Sequence, residues 1–324
     1  MVLACAGTRF AAFPKRLAID AVRMPELPDV TVYRERLQAF LAGQSLESVR
    51  LRSPFLLRSV APPIEVLVGR TLQQVERLGK RLVFDFGDEH FLVLHLMIAG
   101  RLQWYPREKK LGSRIDLAAF GFPAGSLVLT EAASKKRASL HVVQGSAELR
   151  TFDRGGLEVH GASAEQFAAR LRAENRTCKR ALCDPTLFSG IGNAYSDEIL
   201  HSARLSPVTL TSRLGDDEVE RLRLAIVRVL DHWTERLRAE VGDGFPSKVT
   251  AFRPGMAVHG RAGEPCPDCG RAVQRIRYAD HECNYCAVCQ CGGKLLADRG
   301  LSQLLKKDWP KTLDELEERR RPLA

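Results

Sequence analysis

The chain has 324 residues with an ordinary composition for a folded protein, 45% hydrophobic and 27% charged. That length allows two domains with separate cores. The longest apolar run, 91–99 and interrupted by His95, is too short to span a bilayer, which argues against a membrane-spanning helix. Lysine and arginine outnumber aspartate and glutamate by 49 to 39, giving a net charge of +10 and a pI near 9.3. This excess favours a polyanionic partner, and nucleic acid ahead of a membrane surface.

Residues 1–23 contain no acidic residue before Asp20. Their apolar start has no basic region in front of it, so a secretory signal fits poorly. We interpret this segment as an extension or a mis-called start, and we place the working start of the protein at Met24.

The predicted elements begin with a helix from Pro28 that ends before Gly43, because apolar residues recur there at helical spacing. Short β-like runs joined by turn signals follow, at 45–51, 71–86, 90–104, 115–122, 126–130 and 139–143. Strands at this spacing predict a β-sandwich or barrel over residues 24–150.

Helical patterns dominate after residue 150. Ser163-Ala-Glu-Gln166 predicts a capping box at a helix start. A second helix is expected from about Asn193, after the Gly190-Ile-Gly192 turn. A third covers 216–241 and carries apolar residues along one side. The mixed-charge tail, 293–324, ends in a short helix signal at 312–321.

Six of the nine cysteines fall in one short stretch: Cys266, Cys269, Cys283, Cys286, Cys289 and Cys291. Clustering in a large chain favours a metal site and a reducing compartment over a disulfide framework. Cys266-Pro-Asp-Cys269 and Cys286-Ala-Val-Cys289 are two close pairs separated by 16 residues, a spacing that can place four thiolates tetrahedrally around zinc. Cys283 and Cys291 are competing ligands, but the preferred set leaves an intact hairpin-length insert between the pairs. A four-cysteine ribbon is a closed, structural site, so we expect one Zn²⁺ ion without a chemical role.

The hexapeptide Met24-Pro-Glu-Leu-Pro-Asp29 is the second chemical signal. Removal of an initiator methionine before Pro25 would expose a secondary amine, whereas an internal proline nitrogen is a tertiary amide. An α-amino group has a pKa of about 8, so a useful fraction is nucleophilic near neutral pH. The positive end of the following helix disfavours the ammonium form but also favours ionised Glu26, so an acid role for Glu26 requires burial. Taken alone, the hexapeptide also fits an ordinary proline-flanked helix start.

Four features occur in a fixed order: MPELPDV from Met24, a lysine turn at Leu78-Gly-Lys80-Arg-Leu82, GIGNAYSDEIL from Gly190, and the cysteine ribbon. Together they resemble the formamidopyrimidine-DNA glycosylase and endonuclease VIII family over about residues 24–291. The resemblance implies an enzyme, a DNA glycosylase with apurinic/apyrimidinic lyase activity, acting on damaged double-stranded DNA. The implied fold is α+β, an N-terminal β-sandwich with flanking helices and a C-terminal helix–two-turn–helix domain with a four-cysteine zinc ribbon. DNA would lie in the cleft between them.

The resemblance also implies roles for individual residues. Pro25 resembles the nucleophile that attacks C1′ and forms a Schiff base, and Glu26 resembles the acid that protonates the sugar ring oxygen. Lys80 matches a hairpin lysine that assists elimination and contacts phosphate. Asp29 stands where the family usually has glutamate, and we expect it to support the site. The residues expected to bind the DNA backbone in the glycine-rich turn or near it are Gly192, Asn193, Tyr195 and Lys179.

The sequence departs from the family pattern at several DNA-contacting positions. In the wedge segment His95-Leu-Met97-Ile98, Ile98 is expected to fill the gap left by the flipped base. The arginine and phenylalanine that read the opposite strand have no clean counterpart, and Lys136 or Arg137 is expected to serve. His281 aligns with the arginine of the zinc hairpin and would contact phosphate only partly at neutral pH, since histidine has a pKa of about 6.5.

The segment between Gly242 and Cys266 is shorter than in guanine-specific members, where a loop caps the flipped purine. These departures do not change the predicted reaction type. The preferred lesion and the occurrence of δ-elimination do not follow from the sequence.

We therefore predict five segments, which are an extension over 1–23, a catalytic β-sandwich domain over 24–150, a helix–two-turn–helix domain over 151–255, a zinc-ribbon hairpin over 256–292 and a tail over 293–324. We expect a monomer in the bacterial cytoplasm, associated with the nucleoid. The alternative is a non-catalytic zinc-ribbon DNA-binding protein of the same fold, and a sequence-specific zinc-ribbon regulator is a second. The presence of Pro25, Glu26 and Lys80 together favours the enzyme.

Overall fold

The computed structural model describes residues 24–246, 249, 253–278 and 281–320. Within these ranges the side chains of residues 299–301 and 320 are not described. The predicted extension over 1–23 lies outside the described residues. No helix in the described part of the chain is both long enough and apolar enough to cross a membrane.

Helices and strands occur in the order that the sequence predicts: one helix, then the strands of the first half, then the helices of the second half and the ribbon hairpin. The α-helices of the described residues are α1 Leu27–Leu41, α2 Ser146–Arg150, α3 Ala164–Arg172, α4 Cys178–Cys183, α5 Asn193–Ser202, α6 Asp216–Val241, α7 Ala287–Cys291, α8 Arg299–Leu305 and α9 Leu313–Arg320. The strands are β1 Ser48–Leu51, β2 Gln74–Leu78, β3 Arg81–Asp85, β4 His90–His95, β5 Gly100–Tyr105, β6 Asp116–Phe122, β7 Gly125–Glu131, β8 Ser139–Gln144, β9 Gln274–Arg277 and β10 Glu282–Tyr285.

Two four-stranded antiparallel sheets form the sandwich, with strand orders β1-β6-β7-β5 and β2-β3-β4-β8. Their inner faces contribute buried aliphatic residues such as Leu82 and Leu129 to one core. The runs predicted at 71–86 and 90–104 each divide into two strands. The backbone turns at Gly79, with φ 61°, and at Met97, with φ 52°. Each turn places a sequence-predicted residue, Lys80 or Ile98, outside the strands.

Helix α1 joins the two halves of the molecule. Its first residue, Leu27, packs into the helical core with Phe188 and Ile191. Further along the helix, Val30, Tyr33, Leu37 and Leu41 pack into the sandwich core. The Leu27 N–H also donates to the Gly190 carbonyl at 2.9 Å. The segment before α1, which carries Pro25 and Glu26, therefore lies at the junction of the two cores.

The helical half agrees with the sequence patterns in detail. Ser163 Oγ accepts the Gln166 N–H at 3.2 Å and the Gln166 side chain accepts the Ser163 N–H at 2.9 Å, which is the predicted capping box. Helix α5 begins at Asn193 and α6 covers 216–241, both as predicted. Helix α4 was not predicted, because its six residues are too few to establish a periodicity.

The ribbon hairpin β9–β10 is covered by the tail. Leu313, at the start of α9, is 2% exposed and packs with Ile276 and Tyr285 of the hairpin. Arg271 pairs with Glu317 of α9 at 3.0 Å. The helix predicted at 312–321 is confirmed as α9. Helix α8 was not anticipated, since Gly300 lies near its start and weakens the helical signal.

Candidate functional site

The Glu26 carboxylate is fixed by the backbone at the start of α5. Gly192 N–H donates to Oε2 at 2.7 Å, Ala194 N–H donates to Oε1 at 2.8 Å, and Tyr195 N–H donates to Oε2 at 3.2 Å. Unpaired amides at a helix N-terminus form a natural carboxylate site. Glu26 is 3% exposed, so its carboxylate is shielded from bulk solvent.

Lys80 and Glu26 meet at Gly192. Lys80 follows Gly79 in the tight turn between β2 and β3, which projects it toward the helical half. A Cβ placed on Gly192 would lie 2.5 Å from the Lys80 Nζ and 2.5 Å from the Glu26 Cδ. Only glycine leaves room for both side chains. The structure thus brings Lys80 to Glu26, the residue that directly follows Pro25, although the two are far apart in the sequence.

Asp29 supports Glu26 through its backbone. The Glu26 N–H donates to Asp29 Oδ2 at 3.0 Å, and Arg253 donates to Asp29 Oδ1 at 2.8 Å. Burial raises the pKa of the Asp29 carboxyl, and the Arg253 guanidinium opposes that rise. The two carboxylate oxygens of Asp29 therefore link the backbone at the start of α1 to the Arg253 side chain.

A cavity of about 340 Å³ opens beside this pair. It is lined by charged groups and by an apolar wall: Asp29, Val32, Leu237, Glu240, Val241, Phe245, Pro246, Val249 and Arg253. Arg253 also pairs with Glu240 at 3.3 Å. The Arg253 Nε is buried without a hydrogen-bond partner among the described residues, so a donor remains available to an acceptor placed beside it.

Lys179 does not face the surface, contrary to the expectation that it meets phosphate. Its Nζ donates to Asn193 O at 3.0 Å, Ser196 Oγ at 2.9 Å and Asp197 Oδ1 at 2.6 Å. These bonds use all three donors of the ammonium. Burial alone would lower the pKa of Lys179, but Asp197 raises it above its ordinary value. Lys179 therefore holds the first turns of α5.

Asp197 is the centre of a buried polar network. His259 Nδ1 lies 2.7 Å from Asp197 Oδ2, and the Asn284 N–H donates to the same oxygen at 3.1 Å. Burial alone would raise the pKa of Asp197, but Lys179 and His259 lower it below its usual range. The neighbouring Glu198 accepts the N–H groups of residues 257–259. Helix α5 thus ties the ribbon to the rest of the helical half.

Two further DNA-binding expectations need correction. Tyr195 is 1% exposed, and its ring packs edge-on against Trp233 at 6.2 Å, so its side chain belongs to the core. The Gly192 N–H is engaged by Glu26 and is not available to a phosphate. Asn193 is half-buried at the first position of α5, and its Oδ1 has no hydrogen-bond partner within the described ranges. It remains a predicted DNA contact.

The wedge segment forms the turn between β4 and β5. Ile98 is half-buried there, and the Met97 N–H donates to His95 Nδ1 at 2.9 Å. Burial lowers the pKa of His95 to about 3, and Arg81 and Lys80 add to the effect. His95 is therefore neutral and fixes the turn as an acceptor. The wedge role of Ile98 stays a prediction.

The remaining predicted DNA contacts lie at loop positions. Lys136 Nζ donates to the Glu131 carbonyl, while the exposed Arg137 has its backbone N–H bound to the Glu131 carboxylate at 2.9 Å. His281 is exposed at the end of the β9–β10 hairpin and stacks on Tyr278 with ring centroids 4.7 Å apart. Their contacts with DNA stay predictions.

Four cysteines of the ribbon lie close enough together to hold a metal ion. Cys266 Sγ lies 3.9 Å from Cys289 Sγ, and Cys269 Sγ lies 3.4 Å from Cys286 Sγ. All four sulfur atoms lie within 4.8 Å of one another. Zinc–sulfur bonds of about 2.3 Å in a tetrahedron place sulfur atoms about 3.8 Å apart, so the donor set fits a zinc ion.

The two competing cysteines point elsewhere. Cys283 is 1% exposed and packs with Ile276, Tyr285 and Leu313. Burial raises the pKa of the Cys283 thiol well above its usual range, which favours the neutral form over the thiolate that a metal needs. Cys291 packs against the same cluster. The structure therefore groups the ligand set preferred from the sequence.

Known proteins resemble this chain across both halves. Residues 24–153 match the formamidopyrimidine-DNA glycosylase N-terminal domain, and residues 158–240 match the H2TH domain of that protein. The fold and the site thus define a protein of the helix–two-turn–helix class. The chain belongs to the formamidopyrimidine-DNA glycosylase family.

Individual relatives support this assignment. The formamidopyrimidine-DNA glycosylase of Exiguobacterium sibiricum is 32% identical, with 82% of this chain and 99% of that protein covered. An uncharacterized formamidopyrimidine-DNA glycosylase-like protein of Mycobacterium tuberculosis is 38% identical over 50% of this chain and 99% of its own length. The Lactococcus lactis enzyme, solved with N7-benzyl-Fapy-dG DNA, has a TM-score of 0.74 at 26% identity and covers 82% of this chain. All of that chain is covered in turn.

Sequence reasoning missed Arg253, Asp197 and His259. Each is a buried polar residue whose partner lies far away in the chain. A signal existed for Asp197, since the sequence places two adjacent acids, Asp197 and Glu198, between the apolar pairs 194–195 and 199–200. Acids on a buried helix face predict partners, because an unpaired buried charge is costly.

Proposed function

We propose that this DNA-repair glycosylase excises oxidised or ring-opened bases through the amine of Pro25 and then nicks the strand. The observation that carries the proposal is the fixed Glu26 carboxylate, held by three amides with the Lys80 ammonium against the same glycine. Pro25 immediately precedes it. A nucleophile, an acid and a cation are then within one small site, as the reaction requires.

The reaction begins when the unprotonated Pro25 nitrogen attacks C1′ of the damaged nucleotide. The glycosidic bond breaks, and the base leaves with the bonding pair and takes up the proton that the Pro25 nitrogen loses. Glu26 donates a proton to the sugar ring oxygen, the ring opens, and the Pro25–C1′ iminium forms. Loss of a C2′ proton then expels the 3′ phosphate by β-elimination, with Lys80 placed to assist. A second elimination can follow, and water releases Pro25.

This chemistry requires a free Pro25 nitrogen. In the 324-residue chain that nitrogen is acylated by Met24, which leaves no nucleophilic lone pair. Translation from Met24 and removal of that methionine would supply the secondary amine. The start of the active protein is therefore part of the proposal.

We further propose damaged double-stranded DNA as the partner and one structural zinc ion as the cofactor. Solved relatives from Lactococcus lactis are described with DNA containing an abasic site and with DNA containing Fapy-dG. The net charge of +10 suits a polyanion. Zinc would be held by Cys266, Cys269, Cys286 and Cys289 and would stabilise the ribbon without entering the reaction.

The cavity beside Asp29 and Arg253 is the site proposed for the flipped base. Its volume of about 340 Å³ suits a single base. The segment between Gly242 and Cys266 is shorter than in guanine-specific members of the family, where a loop caps the flipped purine. We therefore propose that oxidised pyrimidines, formamidopyrimidines and bare abasic sites are processed at least as well as 8-oxoguanine.

Borohydride trapping tests the central step. Protein begun at Met24 should give a covalent adduct with abasic or lesion-containing duplex, because borohydride reduces the iminium. Pro25→Gly is a weaker nucleophile and Glu26→Gln lacks the acid, so both should lose at least about a hundredfold in adduct rate. An unmodified Met1 chain is the matched control and should trap nothing. DNA binding without any adduct would support the non-catalytic alternative.

A further inference from the structure

His201 lies where the end of α5 meets the cysteine ribbon. Its Nε2 is 3.3 Å from the Cys266 Sγ, and its side chain is buried, with 4% exposed. Asp268, between the first two cysteines, places Oδ2 3.9 Å from the same nitrogen. His201 is not one of the four cysteine ligands, and it takes no part in the Schiff-base chemistry.

The charge of the metal centre explains why a donor is needed there. Four thiolates around a divalent ion carry a net charge of −2, and hydrogen-bond donors around the sulfur atoms offset it. The backbone supplies one such bond, from the Cys289 N–H to the Cys286 Sγ at 3.4 Å. Cys266 is only 2% exposed, so water cannot easily take the place of a protein donor.

We propose that His201 is a positioning residue of the metal centre, donating its Nε2–H to the Cys266 thiolate and thereby slowing the release of zinc. The proposal rests on the zinc site of the proposed function. It extends that site beyond the four ligands to a side chain of α5. Donors of this kind fix ligand orientation and typically change metal affinity by about 10–100-fold.

A second arrangement of the same groups is possible. Ligand atoms of His201, Asp268 and Cys289 also lie within 4.8 Å of one another. Cobalt(II) in place of zinc distinguishes the two roles, because each bound thiolate adds sulfur-to-metal charge-transfer intensity. We expect a four-sulfur spectrum in the wild-type chain and in His201→Leu. A spectrum with fewer than four sulfur ligands in the wild type would make His201 a ligand and overturn the proposal.

The rate at which a chromogenic chelator removes zinc from the full chain tests the donor directly. His201→Leu should lose zinc about 10–100-fold faster than the wild type. His201→Gln keeps an N–H donor and should stay within about threefold of the wild type. His160→Leu, at an exposed histidine paired with Asp231 at 2.7 Å, is the matched control and should not change the rate.

Circular dichroism verifies that each variant is folded before zinc is removed. Folded His201→Leu that releases zinc at the wild-type rate would overturn the proposal, as would folded His201→Gln that is as fast as His201→Leu. A wild-type chain that binds no zinc overturns this role together with the zinc site. Absence of a borohydride adduct overturns the Schiff-base proposal alone, since the release rate is measured without DNA.

Discussion

The Gly192 amide donates to the Glu26 carboxylate at 2.7 Å although the two residues are 166 positions apart. This bond joins the segment before α1 to the start of α5. The Lys80 Nζ also lies next to the Gly192 Cα. The close approach of Glu26, Lys80 and Gly192 therefore requires that residue 192 has no side chain. The site is assembled by this close approach.

Replacing Gly192 with alanine should disable the site and leave the fold intact. The new Cβ would meet Glu26 and Lys80 at 2.5 Å, and both must move. A displacement of about 1 Å can cost about a hundredfold in rate, so single-turnover cleavage should fall by at least that factor. Gly112→Ala is the control, since no atom lies within 4 Å of its Cβ. Equal rates for the two variants would show that Glu26 is not held as described.

Serine at Cys266, Cys269, Cys286 or Cys289 should lower metal content and DNA affinity together. Each substitution removes one of four thiolates, and an incomplete ribbon loses its structure. Elemental analysis of purified protein measures the metal. Cys283→Ser and Cys291→Ser are the controls and should keep one ion per chain. Metal loss in either control would mean that the ligand set is wrong.

The affinity for DNA should fall steeply as the salt concentration rises. The contribution of Asn193 to that affinity should be the same for damaged and undamaged duplexes. Neutralising about five phosphates gives a slope of about −4 to −5 in a plot of log K against log salt concentration. Asn193→Ala should weaken binding to damaged and undamaged duplexes by the same factor. Fluorescence anisotropy over a salt series measures both. A loss confined to damaged duplexes would place Asn193 in lesion recognition instead.

Lesion choice should be broad. The segment that would cap a purine is short, and the arginine and phenylalanine that read the opposite strand in the family have no clean counterpart between Glu131 and Leu140, where Lys136 or Arg137 is expected to serve. Single-turnover cleavage of duplexes that differ only in the lesion, with protein begun at Met24, compares the substrates. A tenfold preference for 8-oxoguanine opposite cytosine would contradict this expectation, because about 1.4 kcal/mol of discrimination would then come from other contacts.

Stability should fall in acid partly because of His95. Its pKa is lowered to about 3 in the folded chain, against about 6.5 when unfolded. Between these values the unfolded chain binds a proton that the folded chain does not, so stability is full above about pH 6.5 and is lost as the pH falls. The loss approaches about 1.4 kcal/mol per pH unit.

Urea unfolding of His95→Gln between pH 7 and pH 5 measures this contribution. The glutamine Oε1 can still accept the Met97 N–H but does not titrate in this range. Its stability should therefore depend less on pH than that of the wild type. His160→Gln, an exposed histidine, serves as the control. The same pH dependence in His95→Gln and in the wild type would show that His95 is protonated in the folded chain.

Much of the architecture could be predicted because periodicity and spacing record local structure. Helix α6, the Ser163 capping box and the four-cysteine group all follow from patterns within short segments. The paired roles of Lys179 and Asp197 could not be predicted in this way. An exposed lysine and a buried one have the same local pattern, and only the packing of α4 against α5 distinguishes them. The predicted DNA contact of Tyr195 was wrong for the same reason, because the burial of its side chain against Trp233 depends on how α6 packs.

Helix α5 fixes a distance between two unlike sites. Its first turn holds the Glu26 carboxylate, and His201, eight residues after Asn193, contacts the ribbon about 12 Å further along the axis. Insertion of one residue would turn one end about 100° relative to the other and break one set of contacts. Insertions and deletions among homologues should therefore be absent from this helix and frequent in the segment after α6. We therefore expect the length of α5 to be conserved even at positions where its side chains differ.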